Sequence, residues 1–268
     1  MAAFPNPLET HDLVDLSVPF GEEYPMAFPD HQQFRHKVHN WYAPVDGPQR
    51  IASSSPYYDC WMVIDEHSGT HFDAPPHFVP PPGSGLPHAG PAGAITGDLV
   101  PLAWLQGPAA VIDCRSLPKA AHGVSPRLTM ADVQAWEAEH DPIAAGDVVI
   151  LFGGWDQRFL PMPEGRGYTI DALDAAGPAW PAPEPDVVLY CHDRGVRLIG
   201  TDAGTIGAAD DLAAAHYAGL ENELLFVESL SGLERLPARG AYFVFLPLKV
   251  LRSSGAPGRA IAYVPKAS

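Results

Sequence analysis

Between Asp65 and Phe78 the chain reads DEHSGTHFDAPPHF, and a helix cannot run through it. Gly69 weakens a helix, and Pro75–Pro76 removes backbone donors and clashes with the preceding turn. In an extended chain, residues two apart share a face. His67, Gly69, His71 and Asp73 then fall on one side, with Gly69 leaving room between the larger side chains. The expected structure is a strand entering a proline-held turn that brings His77 round to the rim. Two imidazoles and a carboxylate held together form a metal cup, and such donors suit zinc, manganese or iron(II) better than thiolate-seeking metals. The bland alternative is a chance run of unrelated histidines in a chain that has twelve. His11, His31, His36, His39, His88, His122, His140 and His192 are read in that way, as surface or satisfied core residues. Four donors between His67 and His77 are a poor match to chance.

The remaining composition narrows the class of partner. At 268 residues, 46% apolar and 18% charged, the chain can bury a full core as one soluble domain spanning 1–268. Sixteen basic against thirty-two acidic residues give a formal charge of −16, which argues against nucleic acid or an anionic membrane as partner. Cys60, Cys114 and Cys191 are widely spaced, which points to reduced thiols instead of a disulfide framework. The start, MAAFPNPLETHD, lacks the pattern of a signal peptide, and no apolar run is long enough to span a bilayer. A cytoplasmic enzyme is the expectation. Thirty prolines are about twice the usual share. They cluster at Pro75–Pro91 and Pro178–Pro185, both expected as ordered surface loops, with the role of Pro80–Gly93 open.

Short β-branched or apolar runs predict strands at Leu13–Val18, Trp61–Asp65, Ala109–Cys114, Asp147–Phe152, Val196–Thr201, Leu224–Ser229, Ala241–Leu246 and Ala260–Val264. VVILF and AYFVFL read as buried on both faces. Thr129 and Asp132 cap a helix over MADVQAWEAEH, and Pro185 opens another that Gly195 closes. Asp210–Asn222 reads as a loop with a short helix. Strands outnumber helices without strict alternation, so the fold class is mixed α/β, neither a Rossmann fold nor a TIM barrel. No glycine-rich nucleotide motif is present.

Further donors must come from elsewhere in the chain, and the C-terminal half offers His216 and Glu228. Glu228 ends the apolar run LLFVE, where an acid is costly unless paired or metal-bound. A salt bridge or a cap for the next turn is the competing reading for it. At this point a resemblance is visible. His67-Ser-Gly-Thr-His71-Phe-Asp73-Ala-Pro-Pro-His77 matches every fixed position of H-x-G-T-H-x-D-x-P-x-H, the hallmark of the metal-dependent cyclase-like hydrolases, the family of bacterial kynurenine formamidase and isatin hydrolase. Weaker matches follow in order along nearly the whole chain: Asp15-Leu16-Ser17 with Pro19, Gly153-Gly154-Trp155, Gly195 to Asp202, Glu228 to Leu233, and Pro247 to Lys249 with Gly255 to Ala260.

The resemblance implies a swivelling β/β/α domain, in a homodimer or homotetramer. It implies one or two divalent ions, zinc or manganese, with His67, His71 and Asp73 on the first. Asp73 would bridge to a second ion completed by His216 and Glu228, and His77 would be the catalytic acid/base. Thr205-Ile206-Gly207 departs from the family's usual Ser-x-Asp, which puts the local hydrogen bonding in question. The chain is also longer between His77 and His216 than the compact formamidases, which favours an isatin-type or an uncharacterised branch.

A cation in this cup supplies an acidified water and a polarised carbonyl. With His77 as proton carrier, the expected reaction is hydrolysis of a C–N bond in an amide, aryl formamide or lactam. Phe28 and Phe72 are candidates to stack on an aromatic small-molecule substrate, against the alternative that they pack in the core. Trp41, Tyr42 and Tyr57 are weaker ones. Two other classes remain: lactone opening or cyclisation in secondary metabolism, and a non-catalytic metal or small-molecule binder, which has no need of a proton shuttle.

Overall fold

A computed structural model describes residues 6–26, 28–42 and 56–266. Its strands and α-helices run, in chain order, β1 (His11–Asp15), β2 (Arg35–Asn40), β3 (Asp59–Val63), β4 (His71–Asp73), β5 (Gln106–Asp113), β6 (Arg127–Leu128), α1 (Met130–His140), β7 (Val148–Phe152), α2 (Ile170–Leu173), β8 (Ala182–Pro183), α3 (Pro185–Asp193), β9 (Leu198–Thr201), α4 (Ala214–Leu220), β10 (Leu225–Glu228), β11 (Tyr242–Pro247) and β12 (Gly255–Pro265). All eight expected strands are present, with ends shifted by a few residues. The mixed α/β class holds.

Eight strands form one sheet in the order β1-β12-β11-β5-β7-β9-β10-β4, and β12 also pairs with β4, so the sheet closes into a barrel-like ring that carries β1 on its side. The length of β12 makes closure possible. Its first residues, Gly255–Pro257, pair with β4, while Gly258–Tyr263 pair with β11. The β5, β7, β9 and β10 neighbours are parallel; the other pairings are antiparallel.

Period-2 alternation explains the two cores. Val148, Ile150 and Phe152 join Phe72, Val227 and Phe243 inside the ring. Val149 and Leu151 face outward and pack with Phe226 against Val133, Val187, Val188 and Leu220 of α1, α3 and α4. VVILF is thus buried on both faces, as expected. The run at β11 is not: Phe243 and Phe245 are buried, but Tyr242 and Leu246 are 41% and 56% exposed. β11 has apolar cover on one side only, and its apolar outward residues hide that alternation in the sequence.

The α1 cap is reciprocal, with the Asp132 amide donating to Thr129 Oγ1 at 3.4 Å and the Thr129 amide to Asp132 Oδ2 at 2.9 Å. Three expectations need correction. The strand at the donor motif covers only His71–Asp73, because Gly69 has φ +57° and turns the chain before it. Gly69 does not leave space between donors either, since a Cβ there would meet Met26 Cε at 2.8 Å. The second proline cluster is largely interior, with Trp180 fully buried, whereas the loop around Pro81–Ala89 is exposed. Strand β2 escaped the sequence reading because RHKVHN is polar; among the described residues it pairs only with β3, and it is mostly exposed.

Candidate metal centre

The site lies on the outward face of the seam between β4 and β10. Phe72 points inward, so its neighbours His71 and Asp73 point out. The antiparallel register sets Glu228 opposite His71 and Phe226 opposite Asp73. Two buried strands therefore present two carboxylates and an imidazole to one spot. Helix α4 adds His216, and the short 3₁₀ turn Pro75–His77 adds His77. Sequence-separated candidates are thus gathered in one place.

Hydrogen bonds orient the imidazoles. His71 Nδ1 donates to the Gly69 carbonyl at 2.8 Å and His216 Nδ1 to the Leu212 carbonyl at 2.6 Å. Carbonyls only accept, so the Nε2 atoms are the ones turned to the site, the arrangement that metal-ligating histidines adopt. His71 Nε2 lies 3.4 Å from Glu228 Oε2 and 3.5 Å from Asp73 Oδ1. His216 Nε2 lies 3.4 Å from Glu228 Oε1 and 3.5 Å from Asp73 Oδ2. His67 Nδ1 is 2.8 Å from Asp73 Oδ1 and its Nε2 is 2.9 Å from Ser254 Oγ. The His77 ring stacks on His67 with centroids 3.8 Å apart.

Two donor groups emerge: His67, Asp73 and His77, and His71, Asp73 and Glu228. Asp73 belongs to both. It is fully buried, and its Oδ2 is without a hydrogen-bond partner. A buried anionic oxygen left in that state is costly, and a divalent cation is the partner that fits these oxygen and nitrogen donors. The structure groups His77 with His67 as a possible ligand, where the sequence reading has it only as acid/base.

The electrostatics agree with a site built for added positive charge. Burial disfavours charge on Asp73, yet His77, His216 and His67 hold its carboxyl well below the ordinary range. Burial and Asp73 both oppose ionisation of Glu228, but His216 and His71 bring its carboxyl down. Burial lowers both His71 and His216, and the carboxylates outweigh it, lifting the first to about 8 and the second to about 10. Burial dominates at His77 and pushes it down to about 4.

In the metal-free protein at pH 7, His71 and His216 therefore carry protons that a cation at their Nε2 atoms must displace. Binding is expected to release about two protons at pH 7 and to tighten as pH rises towards 8 and beyond. Calorimetric zinc titrations in buffers of different ionisation enthalpy measure this. A release of zero would remove both imidazoles from the ligand set.

His67, His71, His77, His216 and Glu228 open on a cavity of about 220 Å³, lined also by Phe28, Asp30, His31, Phe78 and Thr205. Phe28, a candidate for stacking on a substrate, lines this cavity. Phe72 does not: it is fully buried and packs towards Phe245, because successive strand residues face opposite ways. His31, read as an ordinary surface or satisfied core residue, also lines the cavity. Ser254, held by Glu66 at 2.8 Å, carried no sequence signal, since it reaches His67 from the far end of the chain. Phe78, stacked on His216 at 4.2 Å, directly follows the motif and could have been noticed. A larger cavity of about 740 Å³ lies between β1, the β2–β3 hairpin and β11–β12, but its carboxylate Asp15 is paired with Arg259 and it gathers no donor set.

The unusual Thr205–Gly207 segment keeps its hydrogen bonding through backbone atoms. The Ile206 amide donates to Glu228 Oε1 at 2.7 Å. Gly207 lets the Leu212 carbonyl come close, since a Cβ would sit 2.2 Å from that oxygen. The same carbonyl orients His216. Gly207→Ala is expected to cost about 1–3 kcal/mol of stability and to weaken metal binding, read by thermal denaturation and metal titration. An unchanged metal affinity would detach Gly207 from the site. Asp202, from the weaker sequence matches, accepts from the Gly153 and Trp155 amides at 3.0 Å, so two of those motifs form one unit behind this segment.

A family model described as "Putative cyclase" matches residues 14–208. The isatin hydrolase of Roseibium aggregatum is 37% identical over 212 residues, 77% of this chain and 75% of that protein. The kynurenine formamidase of Paracidovorax citrulli is 28% identical over 94% of this chain and 97% of that protein. A crystal structure of an isatin hydrolase bound to the product analogue thioisatinate superposes with a TM-score of 0.76 at 29% identity, over 97% of this chain and 94% of that one. Isatin hydrolase A from Ralstonia solanacearum gives 0.75 at 25%, over 95% and 92%. Among the described residues, no helix is long and apolar enough to cross a membrane.

Proposed function

The chain belongs to the cyclase family, and on that premise we propose that it is a metal-dependent amidohydrolase cleaving a C–N bond of a small aromatic amide. The observation that carries this reading is the buried Asp73, shared by two donor groups with one oxygen lacking a hydrogen bond, behind the histidines and Glu228 that line the cavity. His67, His71, Asp73, His216 and Glu228 are the residues proposed to hold zinc or manganese, as one ion or two. A divalent cation so held supplies an acidified water and a polarised carbonyl.

The chain's own groups supply the rest. His77, neutral at pH 7 in the metal-free protein, would take a proton from the attacking water and return it to the leaving nitrogen. Ser254, anchored by Glu66, fixes the His67 ring. Phe28 and Phe78 give the cavity apolar walls, and its 220 Å³ is below the ~300–1,000 Å³ of drug-sized sites, which favours a compact substrate. The higher identity to an isatin hydrolase supports a cyclic aryl amide first and an aryl formamide second. The proposal also takes in a single swivelling β/β/α domain, a cytoplasmic location and a homodimer or homotetramer. Trp61, Met62, Leu246 and Leu248 are 48–58% exposed, and an exposed apolar group of this kind supports association.

The test is metal content of the purified protein with hydrolysis of isatin and N-formylkynurenine before and after chelation. Chelator-sensitive turnover of either, restored by zinc or manganese, is expected. Bound metal with no turnover of either substrate, but hydrolysis of lactones, would overturn the amide assignment.

A further inference from the structure

A second cavity, of about 350 Å³, opens beyond the Asp202 unit and shares no lining residue with the metal centre. Its charge stands against that of the whole chain, which is −16. Arg158, Lys119 and His122 line it, and among the described residues none of the three has a carboxylate within ion-pair distance. Arg115 also lines it but is paired with Asp113 at 2.6 Å. No anion is supplied from the cavity floor, because burial pushes the Cys114 thiol far up and keeps it neutral. The Asp202 carboxylate behind the wall is capped by the Gly153 and Trp155 amides.

The other walls are apolar and flat. Pro178, Pro181, Leu117 and Val124 line the cavity with Trp155, and the Arg158 guanidinium sits 4.4 Å over the Trp155 ring. That stacking pre-orients a planar, always-charged fork, the group best matched to a carboxylate. Lys119, which is exposed, adds a second positive charge to the lining. A cavity of this size, with apolar walls and cationic side chains among its lining residues, has the make-up of a ligand site. Arg158 and Lys119 line it without an ion-pair partner, and an anion bound there would supply one.

We propose that this cleft is a binding site for a small aryl carboxylate, distinct from the metal centre. Binding is read without turnover, so the test is independent of the hydrolase reading. Benzoate is titrated into the full-length, metal-loaded protein by calorimetry and tryptophan fluorescence, with benzamide as the uncharged control. One saturable site is expected, weakened by added salt. K119Q and R158Q, singly and together, are expected to raise Kd, by about tenfold or more for the pair, with metal content unchanged. H77A is expected to leave it unaltered. The proposal fails if benzoate does not saturate, if benzamide binds equally well, or if binding survives K119Q/R158Q and disappears on chelation or in H77A.

Discussion

Asp73→Asn is expected to lower metal affinity by about 100-fold or more, beyond the 10–100-fold typical of losing a supporting contact around a metal site. The change is nearly isosteric, so packing around the fully buried side chain survives while the charge shared by both donor groups disappears. It also leaves His71 and His216, lifted by two carboxylates in the wild type, facing Glu228 alone. Turnover should fall to background, with circular dichroism unchanged. Metal analysis after dialysis, and competition against a chelator of known affinity, give the number. Retention of the full metal complement would sink the role of Asp73 as common ligand. Should the variant fail to fold, Glu228→Gln tests the second group alone, since Glu228 is not part of the His67 set.

His77→Ala carries the second large effect and separates two roles. As a proton carrier, His77 contributes to rate and not to affinity for the ion. Its loss should cut kcat by about 10²–10⁴ with metal content intact. As a ligand with His67 and Asp73, its loss should instead deplete metal, with activity falling in proportion. The low position of this imidazole, about 4 through burial, means that it begins at pH 7 as a base. A general acid protonated from the outset is therefore not what this residue offers. Added imidazole should restore part of the activity in the first case. Full activity in a metal-replete variant would remove His77 from the mechanism.

Much of the site was legible because its signal is local. His67, His71, Asp73 and His77 lie within one turn-and-strand segment, where φ restrictions at proline and strand parity act over a few residues. His216 and Glu228 were found by a different signal, polar donors set in apolar surroundings, with the family resemblance to order them. Phe28 and Phe72 looked alike in sequence and separated only in three dimensions. A strand face is decided by the residues across the ladder, and Phe72 falls with Phe245 and Val227 inside the ring.

The amino-acid sequence by itself determined most of the strands, the capped α1 helix, the donor types and the exclusion of nucleotide motifs, because propensity, parity and side-chain chemistry are short-range properties. Only the tertiary structure decided how the donors are divided. Closure of the sheet through the β12–β4 pairing brings Ser254 to His67, although 187 positions separate them. The β4–β10 register puts Glu228 opposite His71, and a shift of one residue would send Glu228 into the core. Gly207 and Leu212 aim His216 through a contact with no pattern in the sequence. Pairing and close approach depend on residues distant along the chain, and local rules carry no information about them.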